Sequence, residues 1–288
     1  VRYLFNMYET DFIAGSAELA MLLEVSATPK PGNVDRTHDF EDLAYEHFLG
    51  SSVGMFPAFR KAASGGHHIG DLILNAVRAS ATWQRAGNCH FGAILLLIPL
   101  CAAASRSSTI DQLRTNVTEV VRGTTTTDAV RFYESFRSVN VRVREQHYLD
   151  VNDPESTNTI QKQQLTLFDV MDISSSSDTI AKEWIEGFPR TFRGAELFKQ
   201  IKESGHNLNE SIVYLFLRLL SEAPDTLVAK KFGSKVAHVV SAKATDALKH
   251  GNIENLDKEL ISRRINPGTT ADLVIGSLFV TLLGGFRY

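Results

Sequence analysis

Cysteine is nearly absent from this sequence: Cys89 and Cys101 are the only two in 288 residues. Two thiols cannot staple a chain of this length, so a disulfide-framed secreted fold is excluded and a reducing, cytoplasmic setting is expected. Neither has a CxxC partner, which excludes a thiol-rich metal site. A basic excess is also missing. The net charge is −3, so the field that draws general nucleic-acid binders to phosphate is lacking, and no nucleic acid is expected as partner. Long hydrophobic runs are missing too. The most apolar stretch, Phe91–Ala104, is shorter than the ~20 residues a membrane span needs and is interrupted by Pro99. It reads as a buried core helix, and no membrane partner is expected. No secretory signal is expected from Val1–Tyr8, which runs into Glu9 and Asp11. Alternating strand patterns are scarce. No HExxH, GxSxG, Walker A or Rossmann fingerprint occurs.

What is present is helical periodicity. Apolar faces predict helices over 11–25, from about Asp39 to beyond Phe59 with a kink or restart at Pro57, and over 71–83, 92–104, 109–122 and 128–139. Four more follow at 191–203, 209–222, 226–249 and 270–283. Loops are expected at 65–68, 152–156 and 174–177. The fold class is therefore all-α. The expected architecture is one multi-helix globular domain over 1–288, with the polar motif loops converging on a central cleft.

Four polar segments adjoin strongly apolar helices, where rigid elements can hold a site. Glu24–Arg36 carries two prolines and a glycine. Gly32 allows a close backbone approach to a ligand, Lys30 suits a phosphate, and Asp35 suits a metal or a proton. A stiff connector with solvated charges explains the same residues. Ala86–Gly92 places Asn88 and His90 just before a buried helix, whose N-terminal N–H groups suit an anion. Asn88 as a cap and His90 as a satisfied core histidine are the plainer reading, and Cys89 reads as a packing residue. In Ala223–Gly233, Asp225 fits an N-cap, while Asp225 with Lys230 and Lys231 suits a metal–polyphosphate group. In Asn266–Leu273, Thr269 and Asp272 have capping-box spacing, and Asp272 also suits a metal or a proton. The His67–His68 pair and His47 lack further ligands at convincing spacing.

Taken together, these segments resemble the motifs of the triphosphoribosyl-dephospho-CoA synthase family. Glu24–Arg36 resembles its signature loop. Phe48–Ser52 and Phe56–Phe59 resemble the helix after it. Asn88–Ile94 looks like the family's Asn-Thr-His-Lys-Gly segment, and Asp225–Gly233 and Asn266–Leu273 match two C-terminal motifs. The resemblance runs from about 17 to 283, in the same order. Two departures mark a divergent, archaeal-like branch. Thr37–Asp42 stands where well-studied members carry His-Arg-Asp-Met-Asp, and Phe91 stands where they carry lysine.

The resemblance implies an all-α enzyme that moves the 5-triphosphoribosyl group of ATP to the 2′-hydroxyl of 3′-dephospho-CoA and releases adenine. ATP with Mg²⁺ and a CoA-like or other small-molecule acceptor are the implied ligands, and a homodimer is left open. By the same resemblance Asp35 and His90 are expected as catalytic residues. Lys30, Gly32, Asn33, Asn88, Lys230 and Lys231 are expected on the nucleotide and its phosphates, and Asp225 and Asp272 on the metal. A ribosyl or phosphoribosyl transferase with another acceptor, a nucleotide hydrolase, and a non-catalytic nucleotide-binding protein are the alternatives. A cleft gathering Lys30, Asp35, His90, Asp225 and Asp272 would favour an enzyme. Carboxylates turned away from any shared cleft would favour a binding protein.

Overall fold

A computed structural model describes residues 9–87, 89–138, 149–150 and 153–288. The described residues form fifteen α-helices and no sheet. The first six are α1 (Glu9–Ser26), α2 (Tyr45–Ala63), α3 (Ile69–Ser80), α4 (Phe91–Ala104), α5 (Ile110–Arg122) and α6 (Thr126–Ser138). Four shorter or middle-length helices follow: α7 (Pro154–Gln163), α8 (Leu167–Ser174), α9 (Thr179–Glu186) and α10 (Pro189–Glu203). The last five are α11 (Leu208–Glu222), α12 (Thr226–Phe232), α13 (Ser234–His250), α14 (Ile253–Ser262) and α15 (Gly268–Leu283).

Two helices occupy the middle because they are apolar all round. A helix with no polar stripe must be buried on every side. α4 and α15 fit that description: Ile94–Ile98 and Leu273–Val280 are almost wholly inaccessible. α15 packs against α1, α4, α10, α11 and α12, and α4 against α1, α2, α3, α5 and α9. The N-terminal ends of both are where the polar motifs sit. None of the helices among the described residues is long and apolar enough to cross a membrane.

Several boundaries differ from the periodicity. α2 begins at Tyr45, not near Asp39. The intervening residues instead form two small antiparallel bridges, Asp35 with His38 and Phe40 with Leu43. His47 then turns its Nδ1 back to accept the Ala44 N–H, which starts the helix. Pro57 lies inside α2 without ending it. The expected 226–249 helix is two, because Gly233 adopts φ +90° between α12 and α13. α7 starts inside an expected loop. Asp153 caps it through the Glu155 N–H, and Pro154, whose missing N–H is no loss at N1, is its first residue. α8, α9 and α14 carry only 8 to 10 residues each, too few turns to advertise a face.

Candidate active site

A cleft of about 1240 Å³ opens where the ends of these helices meet. Glu24 at the end of α1, the loop residues Asn33 and Val34, residues 84–87, and Cys89 with His90 contribute to its wall. The N-terminus of α4, the α6 rings Phe132 and Phe136, the start of α9, Lys230 and Lys231 of α12, and the first turns of α15 complete it. The motif loops therefore converge, as the sequence led us to expect. They do not all bring the expected side chains with them.

In the signature loop, Lys30 is fully buried and does not line the cleft. Its ammonium lies 3.3 Å from Glu24 Oε1 and donates to the Val34 carbonyl at 3.1 Å. It neutralises a buried acid instead of reaching for phosphate. Asp35 is also buried and outside the wall. Its Oδ1 accepts the Thr37 N–H and hydroxyl, both at 2.8 Å, and its Oδ2 accepts the Lys30 N–H at 3.3 Å. Asp35 thus staples the loop that was expected to use it as a base. Gly32 makes a close approach, but to protein. At φ +77°, a Cβ there would stand 2.2 Å from the Ile265 carbonyl oxygen. The loop is pressed onto the segment that leads into α15.

Glu24 takes the place in the cleft wall that Asp35 does not. It is the first residue of the signature loop, it lines the cleft, and it is 97 % shielded from bulk solvent (3 % exposed). Burial raises its pKa, Lys30 pulls the other way, and the Asp35 charge adds to the rise. Helical spacing could not single it out, since Glu24 closes an ordinary helix in sequence. Its burial and its ion pair exist only after α1 has docked.

Asp272 is the fifth residue of α15 and also lines the cleft. Its Oδ1 accepts the Ala93 N–H at 2.9 Å, so the carboxyl sits at the N-terminus of α4. Residue 92 has to be glycine there, because a Cβ would be 2.2 Å from Asp272 Oδ2. The anion expected at that helix end is thus the protein's own. Desolvation holds the Asp272 pKa well above the usual carboxylate range, and the nearby charges of Glu24, Asp225 and Asp178 add to it. The Ala93 N–H pulls the other way. Two carboxyl groups with different neighbours, one with a lysine and one without, are an arrangement that separates a base from an acid.

The capping alternatives divide. Asp225 does cap α12, accepting the Val228 N–H at 3.0 Å through Oδ1. Its Oδ2 accepts the Thr270 N–H at 2.7 Å and hydroxyl at 2.8 Å, tying α12 to α15. Asp225 lies outside the cleft wall. Thr269 and Asp272 form no capping box. Thr269 Oγ1 accepts the Leu227 N–H, while Asp272 serves α4. Replacing Asp225 with Ala is expected to cost about 2–4 kcal/mol, a lost cap plus buried donors on Thr270 left unmade. Urea unfolding measures it.

The expected metal pair does not form a donor set. No three His, Cys, Asp or Glu side chains gather closely enough to hold an ion among the described residues. Both oxygens of Asp225 are engaged by three donors. The residues present do not fit a resident ion shared by Asp225 and Asp272.

His90 lines the cleft but is deeply buried, and burial pushes its pKa down to about 3. Its Nδ1 lies 3.0 Å from Ser51 Oγ and its ring meets Phe48 edge-on. Burial thus favours the neutral imidazole over the cation. Cys89, pushed up to about 12 by burial, is an inert thiol in the same wall. Lys231 lines the cleft, and Lys230 does so while pairing with Asp178 Oδ2 at 2.8 Å. Arg85 and Arg137 add two cations to the wall that spacing had not marked. Asn88 lies outside the described residues. Elsewhere His67 and His68 stay on the surface, with His68 facing Asp128 at 3.9 Å.

An all-helical body whose cleft sets buried carboxyls among lysines and arginines suits an anionic small molecule. The chain belongs to the ATP:dephospho-CoA triphosphoribosyl transferase family, whose model matches residues 10–287, and it is accordingly a transferase. It is similar to a protein of Citrobacter koseri named for 2-(5''-triphosphoribosyl)-3'-dephosphocoenzyme-A synthase. Identity there is 26%, over 91% of this chain and 87% of the relative. A protein of the same name from Pseudomonas fluorescens is 23% identical over 93% of this chain and 90% of its own. A crystal structure from Archaeoglobus fulgidus, carrying the name triphosphoribosyl-dephospho-CoA synthase, superposes with a TM-score of 0.72. It is 32% identical, over 84% of this chain and all of that one (100%).

Proposed function

We propose that the chain moves the 5-triphosphoribosyl group of ATP to the 2′-hydroxyl of 3′-dephospho-CoA and releases adenine. The family supports the two substrates. The single observation that carries the chemistry is the Glu24–Asp272 pair in one cleft, with Lys30 beside only the first. The cleft volume exceeds the ~300–1,000 Å³ of a pocket for one drug-sized ligand, which suits two nucleotides at once.

In this reading the C1′–N bond of the donor breaks with its electrons going to adenine. Asp272, whose desolvation favours the protonated form, gives its proton to a ring nitrogen of the departing base. The Glu24 carboxylate faces the positive charge that develops on the ribose and takes the proton of the attacking 2′-hydroxyl as the new C1′–O bond closes. Solvent returns the two acids to their starting states. Magnesium enters on the triphosphate, as part of the Mg–ATP substrate. Lys231, Lys230 and Arg85 suit those phosphates. The reading carries with it a cytoplasmic place, where ATP and CoA precursors meet.

The experiment mixes the protein with Mg–ATP and 3′-dephospho-CoA and follows adenine and the CoA product by chromatography with mass detection. Adenine together with triphosphoribosylated dephospho-CoA is the expected result. Adenine alone would move the acceptor to water or another alcohol, and no adenine would sink the reaction. Within that assay Lys231→Ala is expected to raise the KM for ATP about tenfold or more, the worth of one charge-assisted bond, with little change in melting.

A further inference from the structure

We propose that Asn33 and Asn266 hold the vicinal hydroxyls of the donor ribose, so that the cleft selects ribonucleotides over deoxyribonucleotides. The inference rests on the transfer reaction proposed above. Both asparagines line the cleft. Asn33 Nδ2 and Asn266 Oδ1 are buried, and neither has a hydrogen-bond partner among the described residues. An unmade buried bond costs about 1–3 kcal/mol, so native chains keep few of them, and those they keep call for a function.

The two lie together for a backbone reason. Gly32 is pressed onto the Ile265 carbonyl so closely that a Cβ would stand 2.2 Å from that oxygen. Asn33 and Asn266 are the next residue on each side of that contact. The fold therefore presses two segments together, and each lines the cleft with one such amide group. Those segments also carry the two carboxyls, Glu24 on the first and Asp272 on the second.

The neighbours choose the ligand. The buried Glu24 carboxylate repels phosphate, and Asp272 beside it offers no cation, so the triphosphate does not belong here. A sugar does, because the charge that develops at C1′ is positive and the 2′-hydroxyl is on the adjoining carbon. A hydroxyl both donates and accepts, so a diol satisfies an amide N–H₂ and an amide oxygen whichever way each amide is turned. The edge of a purine satisfies them in one orientation only. A site that hydrogen-bonds a substrate hydroxyl rejects the analogue lacking it, since its own polar groups are then left bare.

The test compares kcat/KM for ATP, 2′-deoxy-ATP, 3′-deoxy-ATP and ITP at fixed 3′-dephospho-CoA, in the wild type, Asn33→Ala and Asn266→Ala. Wild type is expected to prefer ATP over at least one deoxy donor by about 10²-fold or more, and each variant to shrink that preference below about 10-fold. The KM for the acceptor should not move. Melting of the unliganded variants should hold or rise, since each loses a group that had no partner. Undiminished discrimination in both variants would overturn the proposal. So would a change confined to ITP, which would mark a base subsite, or a change confined to the acceptor KM, which would mark the acceptor ribose. If the wild type releases no adenine, calorimetric titration with ATP and 2′-deoxy-ATP reads the subsite without turnover. Equal affinity there overturns it, and a preference for ATP lost in Asn33→Ala upholds it.

Discussion

Asp272→Asn is expected to lower the transfer rate by about 10²–10⁴-fold, the usual worth of a positioned proton donor. The helical circular dichroism should not change. An asparagine Oδ1 can still accept the Ala93 N–H that Asp272 accepts at 2.9 Å, and the side chain keeps its volume beside Gly92. What is lost is the proton. Desolvation and the neighbouring charges of Glu24, Asp225 and Asp178 hold that proton on the carboxyl well above the ordinary range. Activity that depends on it falls as pH rises through the raised value. The alkaline limb of the wild-type profile should therefore vanish in the variant, leaving a flat residual rate. A wild-type alkaline limb that survives in Asp272→Asn would assign the acid to another group.

The same shift has a consequence for stability. A carboxyl that binds its proton more tightly folded than unfolded stabilises the fold fully below the unfolded pKa, and that contribution is lost as pH rises through the folded one. The wild type should melt lower at neutral pH than in mild acid on this account, and Asp272→Asn should not share the loss. The variant is thus expected to be less active and more heat-resistant at pH 7. Thermal melts from pH 4 to 8 read both effects, and a variant that melts lower throughout would make Asp272 a structural residue.

Lys30→Met is expected to destabilise the protein by about 3–5 kcal/mol, because it leaves Glu24 buried without its cation. Lys30 is wholly inaccessible, with Glu24 at 3.3 Å and the Val34 carbonyl at 3.1 Å. The double change Lys30→Met with Glu24→Gln should recover most of that loss, since a buried pair removed as a pair is often close to neutral. It should not recover activity, because Glu24 faces the cleft and its carboxylate is the proposed base. Urea unfolding together with adenine release separates the two residues. A large rise in the KM for ATP in Lys30→Met, with stability intact, would return Lys30 to the phosphate.

The sequence carried the helices well where they were long. α4 and α15 are apolar on every side, and only burial satisfies such helices. It carried the site as a set of segments: the loop after α1, the entry to α4, the start of α12 and the start of α15 all reach one cleft. Within each segment it did not carry which side chain faces the ligand. Asp35 and Asp225 have the chemistry of catalytic or metal-binding acids, yet their oxygens are engaged by Thr37, Lys30, Val228 and Thr270. Glu24 and Asp272 look no different on paper.

Motif order, helical class and family are properties of local pattern, so the sequence by itself determined them. The division of labour among like residues was decided only by the tertiary structure. A carboxyl becomes a cap, a staple or an acid according to which N–H groups, cations and water the packed helices bring within about 3 Å of it, since hydrogen-bond strength and desolvation are set at that distance. The contact of Gly32 with Ile265 is one such case: it joins segments more than two hundred residues apart and places Asn33 beside Asn266.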